Sequence, residues 1–106
     1  MVRHPFTSTY DPEVKSHLRE IEPKHHSLIV DKIEEQLKFQ PDIQTRNRKP
    51  LEGPALLGAD WEIRFGPDNR FRVFYRIDLE NHEVEILAIG VKQKERLYIG
   101  GEEVSS

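Results

Sequence analysis

The chain has 106 residues, 36% hydrophobic and 33% charged, a net charge of −3 and no cysteine. That length suits one domain with one core, and the apolar content argues against wholesale disorder. The missing cysteines exclude disulfides, thiolate metal sites and thiol nucleophiles, and the acidic balance excludes a protein that holds nucleic acid by bulk charge.

No apolar run approaches the roughly 18 residues of a membrane helix, and MVRHPFTSTYDP lacks the apolar centre of a signal peptide. The expectation is a cytoplasmic protein without membrane association. Arg3 to Thr9 reads as a short edge strand, because Pro5 cannot donate to a ladder on both sides. Asp11, Pro12 and Glu13 supply an N-cap, a first-turn proline and a first-turn acid, and Val14, Leu18 and Ile21 follow at helical spacing. A helix is expected from about Pro12 to Glu22. Pro23 opens a second, whose stripe of Ile29, Val30, Ile33 and Leu37 ends before Pro41. Each helix has one apolar stripe, so the pair forms an αα-hairpin that must cover a sheet.

From Pro41 to Asp60 the chain turns loop-like, with Arg46, Arg48 and Lys49 ahead of PLEGPALLG. Three antiparallel strands follow. Trp61, Ile63 and Phe65 alternate with Glu62 and Arg64; Phe71, Val73, Tyr75 and Ile77 alternate with Arg72, Phe74 and Arg76; VEILAIGV is apolar at nearly every step. Arginines thus recur on one side of the sheet, and Trp61, Phe71 and Tyr75 belong to the core. Gln44 to Arg96 holds ten Lys and Arg against nine Asp and Glu, so any affinity for phosphate must come from local placement. His25 and His26 point about 100° apart on a helix and do not suit one metal. No metal or other cofactor is expected. The single domain spans residues 1–106, with a core of about 3–98 and an acidic tail over 99–106.

The ordered set PEVKSHLREI, RKPLEGP, WEIRFG, RVFYRI and VEILAIG, from about Phe6 to Tyr98, resembles the RelE/ParE superfamily of bacterial toxins. The resemblance implies an α+β fold: an N-terminal strand, an αα-hairpin and a three-stranded antiparallel meander, with the helices on one face of the sheet. It implies a type II toxin held inactive by a cognate antitoxin, with growth arrest or plasmid stabilization as its outcome. Two activities occur on this scaffold: RelE-like members cleave mRNA at the ribosome, and ParE-like members inhibit DNA gyrase. Function must therefore be argued from the site.

Carried over residue by residue, the RelE-like catalytic roles fall on Arg64, Arg72, Lys92 and Tyr98. Two arginines on one face suit a phosphate, and Tyr98 serves as general base where neighbouring cations favour its phenolate. Arg76, Phe74, Lys94, Arg46 and Arg48 are the expected substrate contacts, Phe74 by stacking, with burial under the C-terminal segment or the antitoxin as its equal alternative. The pattern departs from RelE in two places: Lys92 cannot reproduce an arginine's fork, and Glu62 stands where a basic residue is preferred, its expected partner being Arg64 or Arg76. The leading expectation is a metal-independent, ribosome-dependent mRNA endonuclease. The alternatives are a gyrase inhibitor and an inactive toxin that retains antitoxin binding. The nuclease reading requires Arg64 and Arg72 to project together with Tyr98 in reach.

Overall fold

A computed structural model describes residues 4–52 and 57–104. The strand start expected at Arg3, residues 53–56 of the PLEGPALLG loop and the last two residues lie outside the described residues. The elements in chain order are β1 (Thr7–Tyr10), α1 (Val14–Arg19), α2 (His26–Leu37), β2 (Arg48–Pro50), β3 (Trp61–Phe65), β4 (Phe71–Asp78), β5 (Glu83–Gln93), β6 (Arg96–Ile99) and β7 (Glu102–Val104). The class is α+β.

The sheet has seven strands, more than the sequence reading expected, in the order β2-β3-β4-β5-β6-β7. β1 joins β5 in parallel, Thr7 opposite Glu83 and Tyr10 opposite Ile86, and the other pairings are antiparallel. β5 thus has β4 along one edge, and on the other it has β1 followed by β6. The expected acidic tail is instead ordered as part of the β6–β7 hairpin. Gly100 and Gly101, at φ 63° and 81°, form its two-residue turn between the paired Ile99 and Glu102. Residues flanked by Gly-Gly in this way are a hairpin signal, because such turns need positive φ at both positions.

The first helix is shorter than expected. Asp11 Oδ1 accepts from the Glu13 amide at 2.9 Å, so the side chain closes a turn before the helix begins at Val14. In α2, Ile29, Ile33 and Leu37 are fully buried at i, i+4 and i+8. Val30, expected in that stripe, is 39% exposed, since it lies one residue, or about 100°, round the helix from Ile29.

The main core packs these helix residues on Ile63, Phe65, Phe71, Val73, Tyr75, Val84, Ile86 and Ile89. That side of the sheet is the helix face. The opposite, far face carries a second, smaller cluster of Ala59, Phe74, Ala88 and Ile99, flanked by Leu87, Leu97 and Val104. A bulge reconciles the two. Phe74 pairs with Ala88 but Tyr75 with Ile86, leaving Leu87 as the extra residue of β5. The inserted residue lets both Ile86 and Ile89 reach the core, and it explains why VEILAIGV lacks clean alternation.

Candidate functional site

The far face carries the arginines. Cross-strand register places Arg64 opposite Arg72, beside the Glu62–Phe74 pair. Two guanidinium groups directly opposed on a sheet repel each other. Glu62 sits between them: Arg64 Nη2 donates to Glu62 Oε1 at 3.0 Å, and Arg72 Nη1 lies 3.7 Å from Glu62 Oε2. Glu62 and Arg72 are both buried. Burial pushes the Arg72 pKa down, the Glu62 charge pushes it back up, and the nearby Arg64 pushes it down. Arg72 Nε also donates to the Asn69 carbonyl at 3.0 Å, which fixes the plane of the guanidinium.

Arg72 forms part of a cleft of about 460 Å³, with Asp68, Arg70, Lys92, Gln93, Lys94 and Glu95. Two tight turns make its walls. In the β3–β4 connection Asp68 and Asn69 take φ of 56° and 52°, and in the two-residue β5–β6 turn Lys94 and Glu95 take 48° and 66°. Asp and Asn tolerate the left-handed region; Lys and Glu there carry strain of about 1 kcal/mol or more each. The Lys92 amide donates to the Arg70 carbonyl at 2.7 Å and ties one wall to the other. The lining thus has four cations and two carboxylates. Among the described residues Arg70, Lys92 and Lys94 have no ion-pair partner, so their charges are available to a ligand.

Of the residues expected to act together, Arg72, Lys92 and Lys94 meet in the cleft, and Arg64 adjoins it through Glu62. Tyr98 does not join them. It pairs with Val91, and paired residues point to the same side, so the phenol lies on the helix face, where it lines a separate groove with His17 and Ile21. The expected general base is therefore across the sheet from the arginines. The physical reason is parity: the two-residue β5–β6 turn pairs Lys92 with Leu97, so Tyr98, one residue further on, takes the opposite face.

Four further contacts are corrected. Phe74 is 2% exposed under the C-terminal hairpin and offers no ring to a base. Arg48 is buried and not part of a basic surface loop. Its Nη1 donates to the carbonyls of Gln40 and Ile43 and its Nη2 to the carbonyl and Oε1 of Gln36, so it binds the C-terminal end of α2 to β2. Arg76 bonds Glu85, its cross-strand partner, at 2.6 Å, with Asp60 and Asp78 close enough to hold its charge more firmly. Glu62 pairs with Arg64 and Arg72, and not with Arg76. Arg46 is exposed beside β2 and does not line the cleft.

Sequence reasoning missed Arg70, Asp68 and Glu95. The signal was present for Arg70: it precedes β4 by one residue, and extending the Phe71–Val91 pair sets it opposite Lys92. Among the described residues no three His, Asp or Glu side chains gather as a metal site, and no helix is long and apolar enough to cross a membrane.

The chain matches no protein-family model and no curated protein. Among solved structures it is similar to a chain of the toxin-antitoxin complex RelBE2 from Mycobacterium tuberculosis. The TM-score is 0.69 at 26% identity, over 84% of this chain and 93% of that one. The RelE-like toxin resemblance carried by the sequence thus extends to three dimensions.

Proposed function

We propose that this chain is the toxin of a type II toxin-antitoxin pair and that its basic cleft takes the phosphodiester backbone of ribosome-bound mRNA, which it cleaves without a metal. The observation that carries this reading is the convergence of Arg70, Arg72, Lys92 and Lys94 beside the β3–β4 and β5–β6 turns, three of them without an ion-pair partner among the described residues. Each charge-assisted bond to phosphate contributes about 1.5–3 kcal/mol, and such donors act most strongly on the charge that develops in a phosphorane. In the cleavage, the 2′-hydroxyl attacks the adjacent phosphorus, the bond to the 5′-oxygen breaks, and a cyclic phosphate and a 5′-hydroxyl result. We assign the 2′ proton to Asp68 or Glu95 and the proton for the leaving oxygen to Lys92, because all three line the cleft. This replaces the tyrosine-dependent form expected from the sequence, whose condition that Tyr98 lie within reach of Arg64 and Arg72 is not met: the proton transfers are assigned to the cleft's own groups and Tyr98 has no part in them. The solved toxin-antitoxin complex supports an antitoxin as partner of this chain too.

The test is a translation reaction with primer extension on the message. Arg72→Ala with Lys92→Ala removes the cuts, whereas Tyr98→Phe leaves them in place. Loss of cutting in Tyr98→Phe alone would sink this site. A second reading, a gyrase inhibitor that breaks no bond, is favoured by one observation: Glu62 already engages both strand arginines. Loss of DNA supercoiling with no cuts in the message would establish it.

A further inference from the structure

On the helix face a groove of about 340 Å³ opens between the end of α1 and the β6–β7 turn. His17 forms one wall and is 7% exposed. Its Nδ1 accepts from the Ile89 amide at 3.2 Å. That amide faces a gap in the sheet: on its edge of β5, pairing with β1 ends opposite Ile86 and pairing with β6 begins opposite Gly90. With Nδ1 as acceptor, the neutral imidazole carries its proton on Nε2, which makes no hydrogen bond among the described residues. The Glu20 carboxylate and the Tyr98 hydroxyl also line the groove and also lack partners there. Three polar groups without a protein partner among the described residues thus meet over an apolar floor that includes Ile21 and Val91.

The missing side chains of the turn keep the groove open. A Cβ on Gly100 would stand 3.4 Å from His17 Cδ2, and one on Gly101 would stand 3.2 Å from the Glu20 carboxylate.

We infer that this groove is a docking site for an arginine side chain of a polypeptide partner. Glu20 is the one formal charge in the lining, and Asp11 and Glu13 lie close enough to act on the His17 ring, so the field is acidic and rejects phosphate. A guanidinium fits this set: its fork matches the Glu20 carboxylate, its plane stacks on the Tyr98 ring, and its methylene stem covers the floor. The His17 Nε2–H then donates to a carbonyl of the partner's backbone. The inference rests on the toxin reading only in supposing that a polypeptide partner exists. It gives Tyr98 a place in partner binding in exchange for the catalytic one it lacks.

The site is probed with Nα-acetyl-arginine methylamide and, as the uncharged isostere, the corresponding citrulline compound, each titrated against the ¹⁵N-labelled full chain. The arginine compound shifts the amides of Ile89, Gly100 and Gly101 saturably. The citrulline compound does not, and Glu20→Gln weakens the arginine response by about fivefold, as for a half-solvated ion pair. Equal responses to both compounds, no saturable response, or shifts centred on Asp68 and Glu95 would each overturn the assignment. None of these outcomes bears on mRNA cleavage, so failure here is distinct from failure of the toxin reading.

Discussion

Replacing Glu62 by glutamine should lower stability and raise affinity for RNA at the same time. The carboxylate is 7% exposed and serves two guanidinium groups, 3.0 Å from Arg64 and 3.7 Å from Arg72. Glutamine keeps one oxygen for the Arg64 bond but removes its charge assistance, a loss of about 1 kcal/mol. Arg72 then loses the carboxylate paired with it while Arg64 remains directly opposite. Breaking a fully buried pair costs about 3–5 kcal/mol. Arg72 opens onto the cleft and the Arg64 side chain is 27% exposed, so water screens part of this and the share falls to roughly 1–2 kcal/mol. The sum is roughly 2–3 kcal/mol, measured as a lower urea midpoint at unchanged slope. The freed donors and the absent negative charge should tighten binding of a short single-stranded RNA by about fivefold at low salt. An unchanged midpoint, or weaker RNA binding, would refute the view that Glu62 neutralises the two arginines and competes with phosphate for them.

Two further predictions concern stability. Arg48→Met fills similar volume but strands three backbone carbonyls and the Gln36 side chain, so it should cost roughly 3 kcal/mol by urea denaturation without altering the cleft. Burial lowers the His17 pKa from 6.5, partly offset by the charges of Glu13 and Asp11. A group whose folded pKa is depressed in this way binds its proton more readily in the unfolded chain, so its contribution is complete above about pH 6.5 and declines as the pH falls further. His17→Leu should flatten the stability profile below about pH 6.5, and at pH 7 it should cost about 1–3 kcal/mol through the unpaired Ile89 amide.

How much was legible in the sequence depended on whether a residue's environment is set locally. The core alternation of β3 and β4 was readable because period 2 assigns faces without knowledge of the partners, and Ile63, Phe65, Phe71, Val73 and Tyr75 all lie in the main core. The same rule placed Arg64 and Arg72 on one face. It left Phe74, which shares their parity, open between stacking and burial, because what covers the far face comes from residues 97–104, remote in sequence. Arg48 was misread for a similar reason. A basic residue in a loop-like stretch is ordinarily solvated, and only the end of α2, twelve residues back, supplies the carbonyls that hold it. The Tyr98 assignment came from alignment by spacing alone. Spacing conserves distance along the chain, but it does not determine the side of a sheet, which the length of one hairpin turn decides.

That turn also shows how an acidic chain can present a phosphate site. The β5–β6 pair carries Lys92 on the far face and Tyr98 on the helix face, with Lys94 and Glu95 at its tip. The cleft lining is +2 (Arg70, Arg72, Lys92 and Lys94 against Asp68 and Glu95), while the whole chain is −3, so the remainder is −5. At physiological ionic strength charges separated by more than about 8 Å are largely screened, so a ligand in the cleft responds to the cleft and little to that remainder. On the two proposals made above, the two sides of one hairpin take ligands of opposite sign, phosphate on one and a cationic side chain on the other.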